Sequence, residues 1–555
     1  MNKADNYMVS TINNILDNGY KDIDPRPRYA DGTPAHTLSV NHNFRTYDLS
    51  KGEFPICTLR PIAWKTGIKE IFAIYQNQSN KISEFERIGC VWWKDWQLED
   101  GTIGKAYPYN LESHRPDEMK KLVKKVPRKI VDLSFTEPKP VKQFPEAPCQ
   151  DDTIYLNRYK VVGIDEERSK DSRQKYYFIQ FISNNYISSI RKDTIGKTNG
   201  VNPYDRTVFG VGYLGEYKKV NNYTEDEIKV LKDKWENMFR RCYSENYKNS
   251  HDGYNNIFVH QNWHSFEDFL RTVREVPQYY LAKEESFKGW DLDKDYFGSN
   301  VYSKDTCAFL KHAENSLYAT TEGCYEITDS VTNNTYYEIS ISDFAKQIGS
   351  TQAHVQRGIK NNMKYKQYIF KFLPNTEEYN YRYELSRNQV VELIKDIKNN
   401  PYGRRHIISF WNWANIDKKS LVECAYETIW NVRGDYLDMM LVQRSGDMLT
   451  ASGPGGINEI QYAALLMMIA RHTGYKPGVF SHVVANEQIY DRHIEAAQEM
   501  VSRFYYSQFL EDDTRKYPVL RLSPKKTDFY DMAINDFTME KYSPIKPQLR
   551  LELGI

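Results

Sequence analysis

Residues 420–430, SLVECAYETIW, set a cysteine between a carboxylate and an aromatic in a stretch that alternates as a strand does. A free cysteine in such a setting is ordinarily a small buried hydrophobe. Whether Cys424 is that or a nucleophile depends on its surroundings in the chain. Downstream, DYLDMMLVQRS (435–445) reads as a strand finishing on a polar cluster. NEIQYAALLMMIARHTGY (458–475) is apolar almost all round, which predicts a buried helix closed by Gly474. Upstream, LSRNQVVELIKDIKNNPYGRR (385–405) places Ser386 and Gln389 at capping-box spacing. Val390, Leu393, Ile394 and Ile397 then form an apolar helical stripe, which NNPYG ends.

Composition narrows the setting. A chain of 555 residues holds several cores, so two to four domains are expected. Lys plus Arg (75) balance Asp plus Glu (74), which neither demands nor excludes a nucleic-acid partner. An aromatic share of 14% argues against wholesale disorder. The N-terminal stretch lacks the apolar core of a signal peptide, and no membrane-length apolar run occurs elsewhere. The seven cysteines are scattered without a CxxC pair, which fits a reducing compartment and no structural zinc site. A cytoplasmic protein without membrane association is expected.

The texture changes twice. Residues 1–112 alternate helical and strand-like segments and end in EDGTIGKAYPYN (99–110). Residues 113–375 open on the basic DEMKKLVKKVPRK (117–129), read as a solvated helix face, and continue into the proline-punctuated linker FTEPKPVKQFPEAPCQDD (135–152). Residues 376–555 return to long periodic elements.

In the last region YGRRHIISFWN (402–412), LVECAYETIW (421–430), VQRSGDM (442–448), GGINEIQYAALLMMIA (455–470) and EQIYDRHIE (487–495) follow one another. The first region carries PRPRYADGTPAHTLS (25–39), AWKTGIKEIFAIYQNQSN (63–80) and WWKDWQLEDGTIGKAY (92–107). Together they resemble the ordered motifs of the thymidylate synthases. The resemblance covers 1–112 and roughly 380–555, and implies an α+β synthase fold split by an insertion at 113–375.

The resemblance implies an activity and a site. The activity is reductive methylation of dUMP to dTMP with 5,10-methylenetetrahydrofolate. Cys424 is the nucleophile toward carbon 6 of uracil, which makes carbon 5 reactive. Only a thiolate attacks, so positive charge is needed beside it, and Arg444 is its implied source. Glu70 organises proton transfers and Tyr107 lies near the nucleophile. Arg26, Arg404, Arg405, Arg444 and Ser445 form a phosphate clamp, to which forked guanidinium donors are suited. In the family Arg404 and Arg405 reach across from a second subunit, which implies a homodimer. Gln443 belongs to the same substrate-binding set, and Asn458 reads the uracil amide edge. The related cytosine hydroxymethylases are expected to carry an aspartate there. Gln488 and Tyr490 lie at the sugar, while Trp93 and Asp447 touch the folate. No metal is implied in the synthase part. Three features depart from the family pattern: Ala425 follows the nucleophile, Gln488 replaces a histidine, and TASGPGGIN (450–458) is a longer approach to Asn458. Two alternatives remain, a dUMP hydroxymethylase on the same scaffold and a DNA-binding or homing protein with decayed synthase halves.

Within the insertion FGVGYLGEY (209–217), DKWENMFRRCYSENY (233–247), VHQNWHSFEDFL (259–270) and GWDLDKDYFGSNVYSKDTCAFLKHAENSL (289–317) resemble an HNH-type nuclease family common in bacteriophages, over about 205–318. The resemblance implies a phage-encoded chain. It also implies a divalent ion such as Mg²⁺ on Asp293 and Asp295, with His260, His264 or His312 nearby, although the expected DH histidine is missing and Thr306 stands where asparagine is common. YYEISISDFAKQIGSTQAHVQRGIKNN (336–362) resembles a helix-turn-helix module within 322–372, of the kind that accompanies homing endonucleases. Phe344, Ala345, Ile348, Val355 and Ile359 form its apolar face and Gly349 its turn. Gln352, His354, Gln356 and Arg357 are then free to face a DNA groove. The boundaries lack the paired nucleophiles and terminal asparagine of an intein.

Overall fold

Strand-like alternation after Cys424 builds a strand of a mixed seven-stranded sheet, one place in from its edge. The computed structural model describes residues 2–115, 121–149, 152–170, 172–509, 517–552 and 554. Its chain divides into two units, Met1–Met119 with Ser386–Ile555, and Lys120–Leu385.

In the first unit helix α1 (Lys3–Asn18) precedes strands β1 (Tyr20–Lys21) and β2 (Thr37–Asp48) and helix α2 (Trp64–Ile71). After residue 385 come α3 (Gln389–Asn399), β3 (Ile407–Ser409), β4 (Ala425–Arg433), β5 (Tyr436–Gln443), β6 (Gly446–Asp447), α4 (Ile457–Thr473) and β7 (Lys476–Tyr490). The sheet runs β1-β2-β7-β5-β4-β3, with β6 also paired to β7. β7 lies parallel to β5 and β6, and the other pairs are antiparallel. β2 and β7 pair from Thr37↔Tyr490 to Asp48↔Val479, so the two separated sequence segments share one sheet.

Period-two alternation sends Leu437, Met439 and Leu441 of β5, with Phe480 and Val484 of β7, to one buried face. α4 covers that face and packs in turn on α2. Being surrounded explains why α4 is apolar on every side. On the opposite face Phe44 is exposed, and Ile429, Met440, Val442, Val479 and Val483 are half-buried. The α3 stripe of Val390, Leu393, Ile394 and Ile397 is buried as its spacing requires.

The helix start differs from the sequence expectation. Asn388, not Ser386, caps α3, accepting the N–H groups of Val390 and Val391. Ser386 instead donates to the Glu112 carboxylate (2.7 Å), while Gln389 donates to the Asn110 and Ser409 carbonyls. Partners distant in sequence take both members of the anticipated capping box.

Arg45 anchors the centre. Its guanidinium meets Glu459 at 2.7 Å and Glu487 at 2.7 Å, all three side chains being buried. Burial alone raises the Glu459 carboxyl, but Arg45 and His482 hold it down at about 2. Arg45→Met leaves two buried carboxylates without a cation, so a loss of about 3–5 kcal/mol in urea unfolding is expected.

The second unit contains three kinds of packing. Strands Ile154–Tyr155, Tyr159–Ile164, Tyr176–Phe181 and Ile187–Arg191 form an antiparallel meander around Tyr159, Ile179, Phe181 and Ile190. No motif in the sequence anticipates it. Helix Glu225–Tyr243 then packs Trp235 against Phe266, its indole N–H donating to the Trp263 carbonyl at 2.7 Å. Strands Trp290–Asp293 and Ala308–Lys311 pair antiparallel and lead into helix His312–Thr320. Helices Ile341–Gln347 and Gln352–Asn362 share a core of Ile327, Phe344, Ala345, Val355 and Phe370, with Ile348 and Ile359 packed against it. A four-stranded sheet adjoins them.

The basic run at 117–129 is not a helix where it is described. Val123–Pro127 is a strand, paired antiparallel with Tyr379–Tyr383, and residues 116–120 lie outside the described residues. Pairing with that distant strand, rather than local periodicity, sets the conformation: Val126 is buried, Val123 half-buried, and Lys124 and Lys125 exposed.

Candidate functional site

Cys424 lies one residue before β4, where the loop 418–424 runs against the loop 103–110. Lys105 donates its backbone N–H to the Lys418 carbonyl at 2.8 Å. Gly104 has φ +67°, and a side chain there would meet the Lys418 carbonyl oxygen at 2.5 Å, so the approach requires glycine. Cys424 is one of two cysteines, with Cys149, that are not fully buried.

Arg444 frames Cys424. Its backbone N–H donates to the Cys424 carbonyl, and its guanidinium donates to the Glu423 and Val422 carbonyls, all at 2.9 Å. Burial pushes the Cys424 thiol up, Arg444 opposes this, Glu423 adds to it, and Arg26 opposes it again. Arg444 and the exposed Arg26 are thus the two cations that act on the thiol. Tyr107, at φ +40°, accepts the Cys424 N–H on its phenol oxygen at 3.3 Å.

Glu70 reaches the same region from α2. Its carboxylate accepts the indole N–H of Trp93 (3.0 Å) and Trp92 (3.1 Å) and the amide of Gln461 (2.8 Å). Burial raises it to about 7 against these three donors. Trp93 sets its ring edge on Tyr107, with centroids 5.6 Å apart.

Asn458 begins α4. Its side-chain nitrogen donates to Gln461 Oε1 at 3.0 Å, so Asn458 and Glu70 are joined through one amide. Its oxygen accepts Ser452 Oγ at 2.9 Å, and Gln443 Nε2 donates to the same hydroxyl at 2.7 Å. Gly455 has φ +66°, and a Cβ there would lie 2.3 Å from the Cys57 amide. The glycines of the long 450–458 loop thus serve a close backbone approach.

Asp447 caps the turn at Met448–Ser452 by accepting the Leu449 N–H, and burial raises its carboxyl against the Thr450 hydroxyl and His493. Tyr490 is buried and pushed up to about 12 by burial, with Asp447 and Cys424 adding and Arg26 opposing. Gln488 is half-buried on β7, two residues earlier, and Ser445 is half-buried beside Arg444.

Arg404 and Arg405 are exposed on the loop between α3 and β3. Arg405 lines a cavity of about 370 Å³ with Ser113, Arg387, Gln389, Glu392 and His406, a set that excludes Cys424. The structure thus gathers Cys424, Arg444, Arg26, Tyr107, Asp447 and Tyr490 electrostatically, ties Glu70 to Asn458, and leaves the Arg404–Arg405 pair on a separate loop.

Gln461, Trp92, Glu423 and Lys419 bond this group of side chains or one another, and the motif reading did not single them out. Gln461 had a signal: it stands three positions after Asn458 on a helix, hence on the same face. Lys419 and Glu423 had only an i,i+4 charge spacing.

In the second unit the residues expected to hold an ion have protein partners. Asp293 is buried, accepts the Tyr296 N–H at 2.8 Å, and is raised to about 7 by burial and by Asp295. Asp295 pairs with Lys294 at 2.5 Å. His312 bonds Asp291 at 2.8 Å, while His264 is buried against the Val259 carbonyl and lowered to about 4. Among the described residues no three His, Cys, Asp or Glu side chains are grouped to hold a metal.

Comparison with known proteins matches the Thymidylate synthase family over residues 6–139 and 322–554. The match enters the second unit at both of its ends. A thymidylate synthase of Streptococcus agalactiae serotype Ia is 41% identical over 174 residues, 30% of this chain and 58% of its own length. One of Streptococcus suis is 39% identical over 171 residues, with the same 30% and 58% coverage. The chain thus spans a little over half the length of these curated relatives. A solved structure, the thermostable thymidylate synthase A from Bacillus subtilis, aligns with TM-score 0.45 and 19% identity over 100% of this chain and 99% of that one. No helix among the described residues is long and apolar enough to cross a membrane. With its family match in two segments that share one sheet, the chain belongs to the thymidylate synthase family.

Proposed function

We propose that the chain methylates dUMP to dTMP through a covalent adduct on Cys424. The observation that carries this reading is the clasp of Arg444 on the Val422 and Glu423 carbonyls, which holds a cation beside a partly accessible thiol. The thiolate adds to carbon 6 of uracil, and the electron pair moves onto the ring, making carbon 5 nucleophilic. Asn458 offers a donor and an acceptor to the O4 and N3–H edge, and Glu70 accepts the proton that leaves carbon 5.

The residues fit a reduced folate. Asp447 supplies a half-buried, raised carboxyl suited to an N–H-bearing ring, and the buried Trp93 an aromatic wall. When bound, methylenetetrahydrofolate supplies the one-carbon unit and the hydride. Arg26, Arg444 and Ser445 take the phosphate, with Arg404 and Arg405 contributed across a homodimer. The exposed Phe44 and its half-buried apolar neighbours on one sheet face support such pairing. Product analysis tests the reading: dTMP with dihydrofolate is expected, whereas hydroxymethyl-dUMP with tetrahydrofolate would replace it by the hydroxymethylase.

For the second unit, DNA binding is the reading that one observation favours. Gln352, His354, Gln356 and Arg357 are all exposed on the second helix of the pair, while Val355 is buried beneath them. This supports the helix-turn-helix resemblance, in which that helix enters the major groove. Arg357→Ala is expected to weaken duplex-DNA binding and to flatten its log–log salt dependence by about one unit if the arginine meets a phosphate. Fluorescence anisotropy across a salt series checks this, and unchanged binding would remove Arg357 from the interface.

A further inference from the structure

Glu423 precedes the nucleophile position and is buried, although its carboxylate is the wrong sign of neighbour for a thiol that must ionise. Its contacts explain its presence. One carboxylate oxygen accepts the Tyr107 N–H at 2.8 Å and the Asn110 amide at 3.1 Å. The other accepts Lys419 Nζ at 2.6 Å, and both side chains of that ion pair are fully sealed from solvent. Tyr107 holds a positive φ of 40°, a conformation that non-glycine residues keep only when surroundings impose it. Its phenol oxygen in turn accepts the Cys424 N–H. A closed circuit therefore runs from Glu423 through Tyr107 to Cys424 and back along the chain. It joins segments that stand more than three hundred positions apart in the sequence.

An ionised carboxylate has only acceptors, so it can serve two N–H donors from the opposite loop without a misplaced hydrogen. The cost is an anion adjacent to the nucleophile. Lys419, four residues earlier, offsets it.

We propose that the buried Lys419–Glu423 pair is a positioning and charge-balancing device for Cys424: Glu423 locks the loop and Tyr107 in place, and Lys419 cancels the anion this sets beside the sulfur. The inference rests on Cys424 being the nucleophile of the proposed function. The other charged or titratable groups that face the thiol are Arg444 and Arg26, which favour its ionised form, and the Tyr107 and Tyr490 phenols.

The test is the pH dependence of Cys424 alkylation by iodoacetamide on the full-length chain. It is read peptide by peptide, because Cys149 is also not fully buried. Wild type, Glu423→Gln, Lys419→Met and the double variant are compared. Removing the anion lowers the alkylation midpoint, and removing the cation raises it, each by about one pH unit. The double variant returns close to wild type. A purely structural pair would not move the two single variants in opposite directions. Shifts of the same sign, or no shift, overturn the proposal. If Lys419→Met does not fold, the others decide, because a Glu423→Gln midpoint at or above that of wild type overturns it alone. Alkylation needs neither nucleotide nor folate. Opposed shifts without dUMP turnover would therefore retire the synthase reading and leave the charge balance standing. Turnover without opposed shifts would do the reverse.

Discussion

Cys424→Ser is expected to lower dUMP turnover by on the order of 10⁴-fold or more, and to abolish the covalent adduct with 5-fluoro-dUMP and methylenetetrahydrofolate seen by intact mass. The size follows from the nucleophile itself. Arg444 opposes the burial that raises the thiol, whereas a serine hydroxyl stays neutral there, and among the described residues the position-424 N–H and sulfur bond the Tyr107 phenol and the Val422 carbonyl, neither a general base. Tyr107 and Tyr490 cannot substitute, since burial pushes both phenols up. The serine retains the backbone N–H to Tyr107, so the urea midpoint should stay within about 0.5 kcal/mol of wild type. An adduct of wild-type yield in the serine variant would show that the sulfur is not the attacking atom.

Glu70→Gln carries the second large effect, a fall in kcat of roughly 10² to 10⁴-fold. Accepting a proton from carbon 5 requires the carboxylate form. With the carboxyl raised to about 7, it is largely neutral at pH 6 and largely ionised at pH 8, so wild-type kcat should climb across that interval. Glutamine cannot titrate, and the climb should flatten. The same group acts on stability with a definite sign. Its folded value stands above the ordinary 4.5, so its contribution is fully present below 4.5 and declines as pH rises through about 7. Stability falling while activity rises over one pH interval would identify a single carboxyl behind both. A kcat profile identical in the two chains would exclude Glu70 as the proton acceptor.

Much of the first unit could be read from local pattern. The stripe Val390, Leu393, Ile394 and Ile397 is buried on α3, and Gly474 closes α4. In the second unit the apolar set Phe344, Ala345, Ile348, Val355 and Ile359 likewise packs as one core. Such features are legible because burial of one face imposes a period on the chain. The failures share a different cause. Ser386 and Asn388 are both competent caps, and the choice fell to Asn388 because Glu112 engages Ser386. Asp293 and Asp295 look like a metal pair in one dimension. In three dimensions one turns to a backbone N–H and the other to Lys294.

Periodic hydrophobicity and motif order were enough to specify the strands, the buried helix and the family, and to single out Cys424, Arg444, Asn458 and Glu70 as candidates, because those depend on residue type and short-range spacing. Tertiary structure alone decided what surrounds the sulfur: the Lys419–Glu423 pair, the strained Tyr107 and the Gln461 link between Asn458 and Glu70. The bond from Tyr107 to Glu423 and the one from Gln461 to Glu70 join groups more than three hundred positions apart, and contacts across such separations leave no periodic trace in sequence.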